Sequence, residues 1–276
     1  MTYKEALEKG TLLLESEKIA DAKIDAWLLL AYVSQLTKAK YFLKKNEKID
    51  DITLYKYKDA LLKRAGHTPL QHITGEQDFM GITFWVNEHV LIPRQDTETL
   101  VEEALKVIPS GSHILDLCTG SGCVIISLVV HGQGITGIGV DISEDALNVA
   151  RDNGMRLVGK KVVFEQGDLW SGVHGKFNAI VSNPPYIPSA VVEQLETEVK
   201  DHEPRIALDG TEDGLFFYRQ IVSRAPEYLT DNGWLLVEIG YDQGPDVYAL
   251  FIEAGFKDVK VIKDLAGNNR VVKGHL

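Results

Sequence analysis

The run "VSNPPYIP", Val181 to Pro188, follows a short apolar stretch, "FNAIV" (Phe177 to Val181). Proline lacks a backbone N–H and pushes the residue before it out of the helical region. A strand is therefore stopped abruptly, with Asn183 held at its end and Tyr186 three residues later. One proline would suffice for a strand-to-loop turn; Asn-Pro-Pro-Tyr asks for more.

Three further motifs precede it. "LDLCTGSGCVIISL" (Leu115 to Leu128) reads as a strand, a turn and a helix, with Gly120 and Gly122 letting the backbone bend tightly. Ile125 stands where a dinucleotide fingerprint would have its last glycine, so a pyrophosphate site is disfavoured. About 20 residues later, Asp141 ends a second strand in "GIGVDIS" and suits a pair of ribose hydroxyls, with Ser143 capping the next helix. "EQGDLW" ends a third strand with Asp168 and Trp170: an acceptor and a ring for adenine, or, equally, a ring covering the sheet edge. In open α/β sheets ligands bind at the carboxyl ends of strands, where all four motifs converge.

The elements that must position these residues alternate from Ser112 onward. Apolar strand patterns are separated by helical ones, which predicts a parallel, doubly wound sheet. Helices are expected between the first five strands and before the sixth. The last two strands, "KDVKVIKD" and "NRVVKGHL", are joined by a turn too short for a crossover, so the final strand runs antiparallel. Residues 1–66 read as helices only. Ile24, Trp27, Leu28 and Ala31 form one apolar face there, and Leu54, Tyr57, Leu61 and Ala65 another. Phe79, Ile82, Phe84 and Val86 around Gly81 predict a hairpin bridging two domains. "QDTETLVEEALKVI" opens a helix with Asp96 or Thr97 as N-cap.

Net charge is −11, unevenly spread. Residues 1–75 hold 13 basic and 10 acidic side chains; the rest hold 16 and 30. An acidic body is a poor platform for sequence-independent nucleic-acid binding. Cys118 and Cys123 make no disulfide framework, zinc site or C-x-x-C pair, and no metal is expected. No apolar run approaches the roughly 20 residues that span a bilayer. The N-terminus lacks a signal layout, so a cytoplasmic protein is expected.

"LDLCTGSG", "GVD", "GDLW" and "NPPYIP", in this order, resemble the S-adenosylmethionine-dependent amino methyltransferases. With "PLQHITG", "FMGITFWV", "LIPRQDTE" and "EPRIALDG" the chain resembles the peptide chain release factor glutamine N5-methyltransferases, from about Pro69 to near the C-terminus. Two departures stand out: Cys118 where many relatives have glycine, and Gln95 where a second proline is frequent.

The resemblance implies a seven-stranded, doubly wound Rossmann-like methyltransferase sheet with an antiparallel last strand, plus a small N-terminal helical bundle. The expected divisions are a substrate-docking helical domain over 1–72, a hairpin and linker over 73–92, and the methyltransferase domain over 93–276. It implies S-adenosyl-L-methionine as cofactor, with S-adenosyl-L-homocysteine as product, and a release factor as partner. Cys118, Thr119, Gly120, Ser121 and Gly122 would pack on the methionine part. Asp141 and Ile142 would border the ribose, Asp168 and Trp170 the adenine. Asn183 and the Pro184 carbonyl would accept hydrogen bonds from the substrate amide, with Pro185 and Tyr186 packing against it, and Asn183 would also border the cofactor. Arg94 and Thr97 are candidates for the pocket wall, although an ion pair and a helix cap account for them too. "EPRIALDG" and "TEDGLFFYRQIV" are expected beside the site. His113 and His131 are expected to be packing or surface residues. Three alternatives remain: a glutamine methyltransferase of a ribosomal protein, a nucleic-acid adenine N6-methyltransferase, and a non-catalytic binding module.

Overall fold

Thr2 starts the first helix, α1 (Tyr3–Ser16), with a capping box: its hydroxyl accepts from the Glu5 amide, and the Glu5 carboxylate accepts from the Thr2 amide. Helices α2 (Ala22–Ser34), α3 (Lys38–Lys44), α4 (Asp51–Ala65) and α5 (Leu70–Thr74) follow. The computed structural model describes residues 1–276. It divides into two compact units: Met1–Gly75 with Glu196–His202, and Glu76–Leu195 with Glu203–Leu276.

In the helical unit α4 buries Tyr57, Ala60, Leu61 and Arg64, close to the expected face. Helix α2 does not follow expectation. It buries Ala22, Asp25, Ala26, Leu29 and Leu30, while Ile24 and Leu28 are exposed. Apolar residues run almost all round α2, so periodicity offered two stripes. A buried ion pair on the inner one decides the matter. Arg64 Nε donates to Asp25 at 2.7 Å, and Arg64 Nη2 to Glu198 at 2.9 Å.

The second unit opens with a hairpin, β1 (Glu76–Phe79) and β2 (Ile82–Trp85), paired antiparallel. Met80 and Gly81 turn it with positive φ, the geometry of a tight two-residue hairpin turn. The hairpin was expected as a linker, but it is part of this unit: Phe79 and Phe84 are fully buried in its core.

After a 3₁₀ turn at Gln95–Thr97 come α6 (Glu98–Leu105), β3 (His113–Leu117), α7 (Cys123–His131), β4 (Thr136–Asp141), α8 (Glu144–Leu157), β5 (Val162–Gln166) and β6 (Phe177–Ser182). Short helices α9 (Ser189–Val192) and α10 (Thr197–Lys200) follow, α10 belonging to the helical unit. The chain ends with α11 (Phe216–Tyr228), β7 (Leu229–Glu238), α12 (Gly244–Glu253), β8 (Lys257–Lys263) and β9 (Asn269–His275).

The seven strands lie in the order β5-β4-β3-β6-β7-β9-β8. Strands β3 to β7 pair in parallel, and β9 is antiparallel to both neighbours. Both faces are covered, as parallel sheets require. Ile114, Ala179, Val181 and Leu236 point into one core. Leu115, Leu117, Ile180, Leu235 and Val237 alternate into the other. One expected helix is missing: β5 and β6 are joined by turns without a helix, and Gly172 and Gly175 there have positive φ.

Arg64→Met should expose the cost of the buried pair. Asp25 would be left charged and unpartnered, a loss of about 3 kcal/mol. Amide exchange in α2 and α4, read by mass spectrometry, is expected to run about 100-fold faster where local opening limits it.

Candidate active site

The strand order reverses between β3 and β6. Crossovers leave these strands toward opposite sides, which opens a crevice at their carboxyl ends. An open cleft of about 1050 Å³, part of it continuous with solvent, lies there. Ser182 Oγ donates to the Leu117 carbonyl at 2.7 Å and holds the two strand ends together.

The turn after β3 bends through three left-handed residues, Cys118, Gly120 and Gly122. A Cβ on Gly122 would sit 3.0 Å from Ile126 and 3.1 Å from Phe164, in addition to its φ of +78°. Cys118, Thr119, Gly120 and Ser121 line the cleft; Gly122 instead caps α7. Asp141 braces the turn: Gly120 N donates to Oδ2 at 2.8 Å and Ser143 N to Oδ1 at 3.0 Å. Burial raises the Asp141 carboxyl's proton affinity against these bonds. Asp116, behind the turn, accepts from Thr119 Oγ1 at 2.6 Å and is pushed up by burial to about 7. Burial also pushes both cysteine thiols upward, so neither is a thiolate nucleophile at neutral pH.

Asp141, Ile142 and Asp168 stand on the cleft wall. Trp170 does not. It stacks on Tyr228 at 4.5 Å between ring centroids, and its Nε1 donates to the Gln220 carbonyl at 3.0 Å. Leu169, left-handed at φ 49°, reverses the chain and takes the wall position. The expectation of an adenine-facing Trp170 is therefore corrected in favour of core packing.

Asn183 and Pro185 line the cleft; Pro184 is buried and Tyr186 half-buried off the wall. The strip is tightly pinned. Ile187 N donates to Leu208 O at 3.0 Å, and Gly210 N to Ile187 O at 2.8 Å. Gln243 Nε2 donates to the Tyr186 carbonyl at 3.0 Å. The Tyr186 hydroxyl donates to Glu238 Oε1 at 3.3 Å, where a slot-closing ring was expected. Asn183 Nδ2 donates to Thr97 Oγ1 at 3.3 Å. That leaves Asn183 Oδ1 as the amide's unclaimed acceptor.

Thr97 was a candidate helix cap. It is buried, makes no cap bond and lines the cleft instead. Arg94 also lines the cleft and pairs with Glu203, whose other oxygen accepts from Ile92 N at 3.3 Å. The Glu203 side chain is 1% exposed, so the pair is no surface ornament. Pro204, Ile206, Ala207 and Phe217 complete the wall from the two stretches expected beside it. His113 stacks on Phe177, and His131 meets the Met80 carbonyl, away from the cleft.

Three supporting residues escaped the sequence reading, Glu238, Gln243 and Asn153, while Glu203 lies in a stretch expected beside the site. Glu238 had a signal, as a carboxylate ending the strand beside β6. Asn153 had none: it accepts from Trp85 N and donates to the Trp85 and Ser121 carbonyls, tying the hairpin to the glycine turn.

A family model described as PrmC N-terminal domain matches residues 5–75, and one described as Methyltransferase small domain matches 95–199. A release factor glutamine methyltransferase of Geobacter sulfurreducens is 38% identical over 276 residues, covering 100% of this chain and 97% of that protein. The chain belongs to the release factor glutamine methyltransferase family. A second member, from Caulobacter vibrioides, is 38% identical over 265 residues, covering 95% of this chain and 92% of its own length. In fold, the chain is similar to a methyltransferase of Pyrococcus furiosus, with a TM-score of 0.54, 17% identity, and coverage of 71% and 89% of the two chains. No helix is long and apolar enough to cross a membrane.

Gly210 tests the pinned strip. A Cβ there would lie 2.7 Å from the Tyr186 backbone. Gly210→Ala should displace the strip and cut methyl transfer about 100-fold, the scale of a 1 Å misplacement. Steady-state turnover with labelled cofactor checks this, and unchanged turnover would show that the strip's position is not critical.

Proposed function

We propose that the chain transfers a methyl group from S-adenosyl-L-methionine to the side-chain N5 of the glutamine in the Gly-Gly-Gln motif of peptide chain release factors, in the cytoplasm. S-adenosyl-L-homocysteine is the second product. The observation that carries the reading is Asn183: its Nδ2 is held by Thr97, so its Oδ1 is free to accept from a planar NH₂ group. The relatives' names agree with that choice of substrate.

The cleft's residues fit the cofactor. Asp141 keeps a lone pair on each oxygen beyond its backbone bond and would accept from the ribose hydroxyls. Asp168 would accept from the adenine amine, with Ile142 and Leu169 as apolar faces in place of Trp170. The turn from Cys118 to Ser121 would pack on the methionine portion. When bound, the cofactor supplies an electrophilic methyl on sulfonium.

The protein's task is placement, because an amide nitrogen is a poor nucleophile. Its lone pair is delocalised into the carbonyl. Asn183 Oδ1 and the Pro184 carbonyl, which accepts no backbone hydrogen bond, would hold the two NH₂ hydrogens. Both acceptors favour a nitrogen with a more localised lone pair, aimed in line at near-attack distance. As the N–C bond forms, positive charge on nitrogen strengthens both bonds, which stabilises the transition state. The nitrogen then releases a proton to solvent. Pro185 would pack against the amide plane from the cleft wall. The acidic body argues against a nucleic-acid backbone as the partner surface.

Three measurements test the proposal. Release factor, ribosomal protein, DNA and tRNA, each incubated with labelled S-adenosylmethionine, should give label on release factor; label on nucleic acid alone would overturn the reading. Asn183→Ala should lose at least about 100-fold in turnover while calorimetry shows near-normal cofactor affinity. Asp141→Ala should do the reverse and lose cofactor binding first.

A further inference from the structure

Glu238 ends β7 beside the end of β6, 2% exposed and off the cleft wall. It nevertheless neighbours Tyr186 of the pinned strip and Thr97 of the cleft wall. The Tyr186 hydroxyl donates to its Oε1 at 3.3 Å. Thr97 adjoins the same carboxylate and draws its proton affinity down, as a neighbouring hydroxyl donor does. Its Oε2 is buried and has no hydrogen-bond partner. Its neighbours Leu236, Val237 and Ile239 are wholly buried and apolar. Packing alone would favour an apolar residue here too, because a buried carboxylate is costly to desolvate.

We infer that Glu238 is a positioning residue that sets which way the Asn183 amide faces, acting through Thr97. This rests on the proposal that Asn183 Oδ1 accepts from the substrate amide. An ionised carboxylate has no hydrogen to give. Thr97 therefore turns its hydroxyl hydrogen toward Glu238 and offers Asn183 only lone pairs. Asn183 answers with Nδ2, at 3.3 Å, and its oxygen is the atom left for the cleft. An amide at position 238 reverses the chain of donors. Its NH₂ would donate to Thr97, Thr97 would donate to Asn183 Oδ1, and Asn183 would present NH₂ to the substrate NH₂. Donor would face donor.

Several groups bear on the charge of Glu238. Arg270 approaches from β9, Asp96 from the 3₁₀ turn, Tyr186 from the strip and Cys123 from α7. Tyr218 of α11 donates to the Glu238 backbone carbonyl at 2.9 Å. Burial pushes the carboxyl up to about 7, while Thr97, Arg270 and Tyr186 pull it down. The ionised form is present above that pH and is lost as pH falls through it.

The test compares Glu238→Gln, Thr97→Val, Thr97→Ser and Asn183→Ala on the full chain with release factor and S-adenosylmethionine. Glu238→Gln and Thr97→Val should each lower kcat about 100-fold, with cofactor affinity and the KM for release factor held. Thr97→Ser should regain most of the loss seen in Thr97→Val. The double variant Glu238→Gln/Thr97→Val should be no slower than either single one, because both cut the same chain. Wild-type kcat should fall below pH about 7, and Glu238→Gln should show no such fall. A fall that persists in Glu238→Gln belongs to another group and overturns the relay. Full turnover in Glu238→Gln with turnover lost in Asn183→Ala overturns the relay alone. Full turnover in Asn183→Ala overturns the site reading beneath it. Should Glu238→Gln fail to fold, Thr97→Val against Thr97→Ser decides the matter.

Discussion

Asn183 can offer its oxygen to the cleft because its nitrogen is already committed to Thr97. The rest of the site is organised around that constraint. Several polar groups along the strip from Tyr186 to Ser189 are claimed by neighbours. Gln243 takes the Tyr186 carbonyl, Leu208 and Gly210 take both backbone groups of Ile187, and Thr211 takes the Ser189 amide. In a poorly solvated wall an unclaimed polar group is costly, and pairing these groups holds the strip in one position. The glycines at 210 and 214 exist for the same reason. Their missing side chains let the pinning segment lie against the Tyr186 backbone.

The electrostatics of the wall follow from burial more than from charge. Asp116, Asp141 and Glu238 all have raised proton affinities, in each case chiefly because they are removed from water. A cation bound in the cleft would draw these carboxyls back toward ionisation. The acidic character of the second part of the chain is thus partly latent at the site itself. Arg94 and Arg270 are each tied to carboxylates, to Glu203 and to Asp96 and Asp264. Neither is left as a free anion clamp, which accords with a site that has no phosphate to hold.

Much of this was legible in the sequence wherever local chemistry had one solution. The prolines after Asn183, the two turn glycines and the strand-end Asp141 each announced a position, because each requires a backbone that few other residues allow. The antiparallel last strand followed from a turn too short to cross over. Trp170 was not legible in this way: a ring beside a strand-end acid fits a ligand and a core equally well. The left-handed Leu169 turned it inward. Thr97 read as a cap because a threonine opening a helix usually is one. The end of β6 claimed its hydroxyl instead. Helix α2 was apolar nearly all round, so its inner face waited on Arg64 for a decision.

By itself, the sequence determined the alternation of strands and helices, the order of motifs along the sheet and the residues that must stand at strand ends. These depend on backbone sterics and on hydrophobic period, which act within a few residues. Only the tertiary structure decided which of two plausible partners each polar side chain takes. Thr97 lies 86 residues from Asn183, and Glu238 lies 52 from Tyr186. Hydrogen bonds across such separations form only after the sheet has set the strand order, and no local pattern in the chain encodes them.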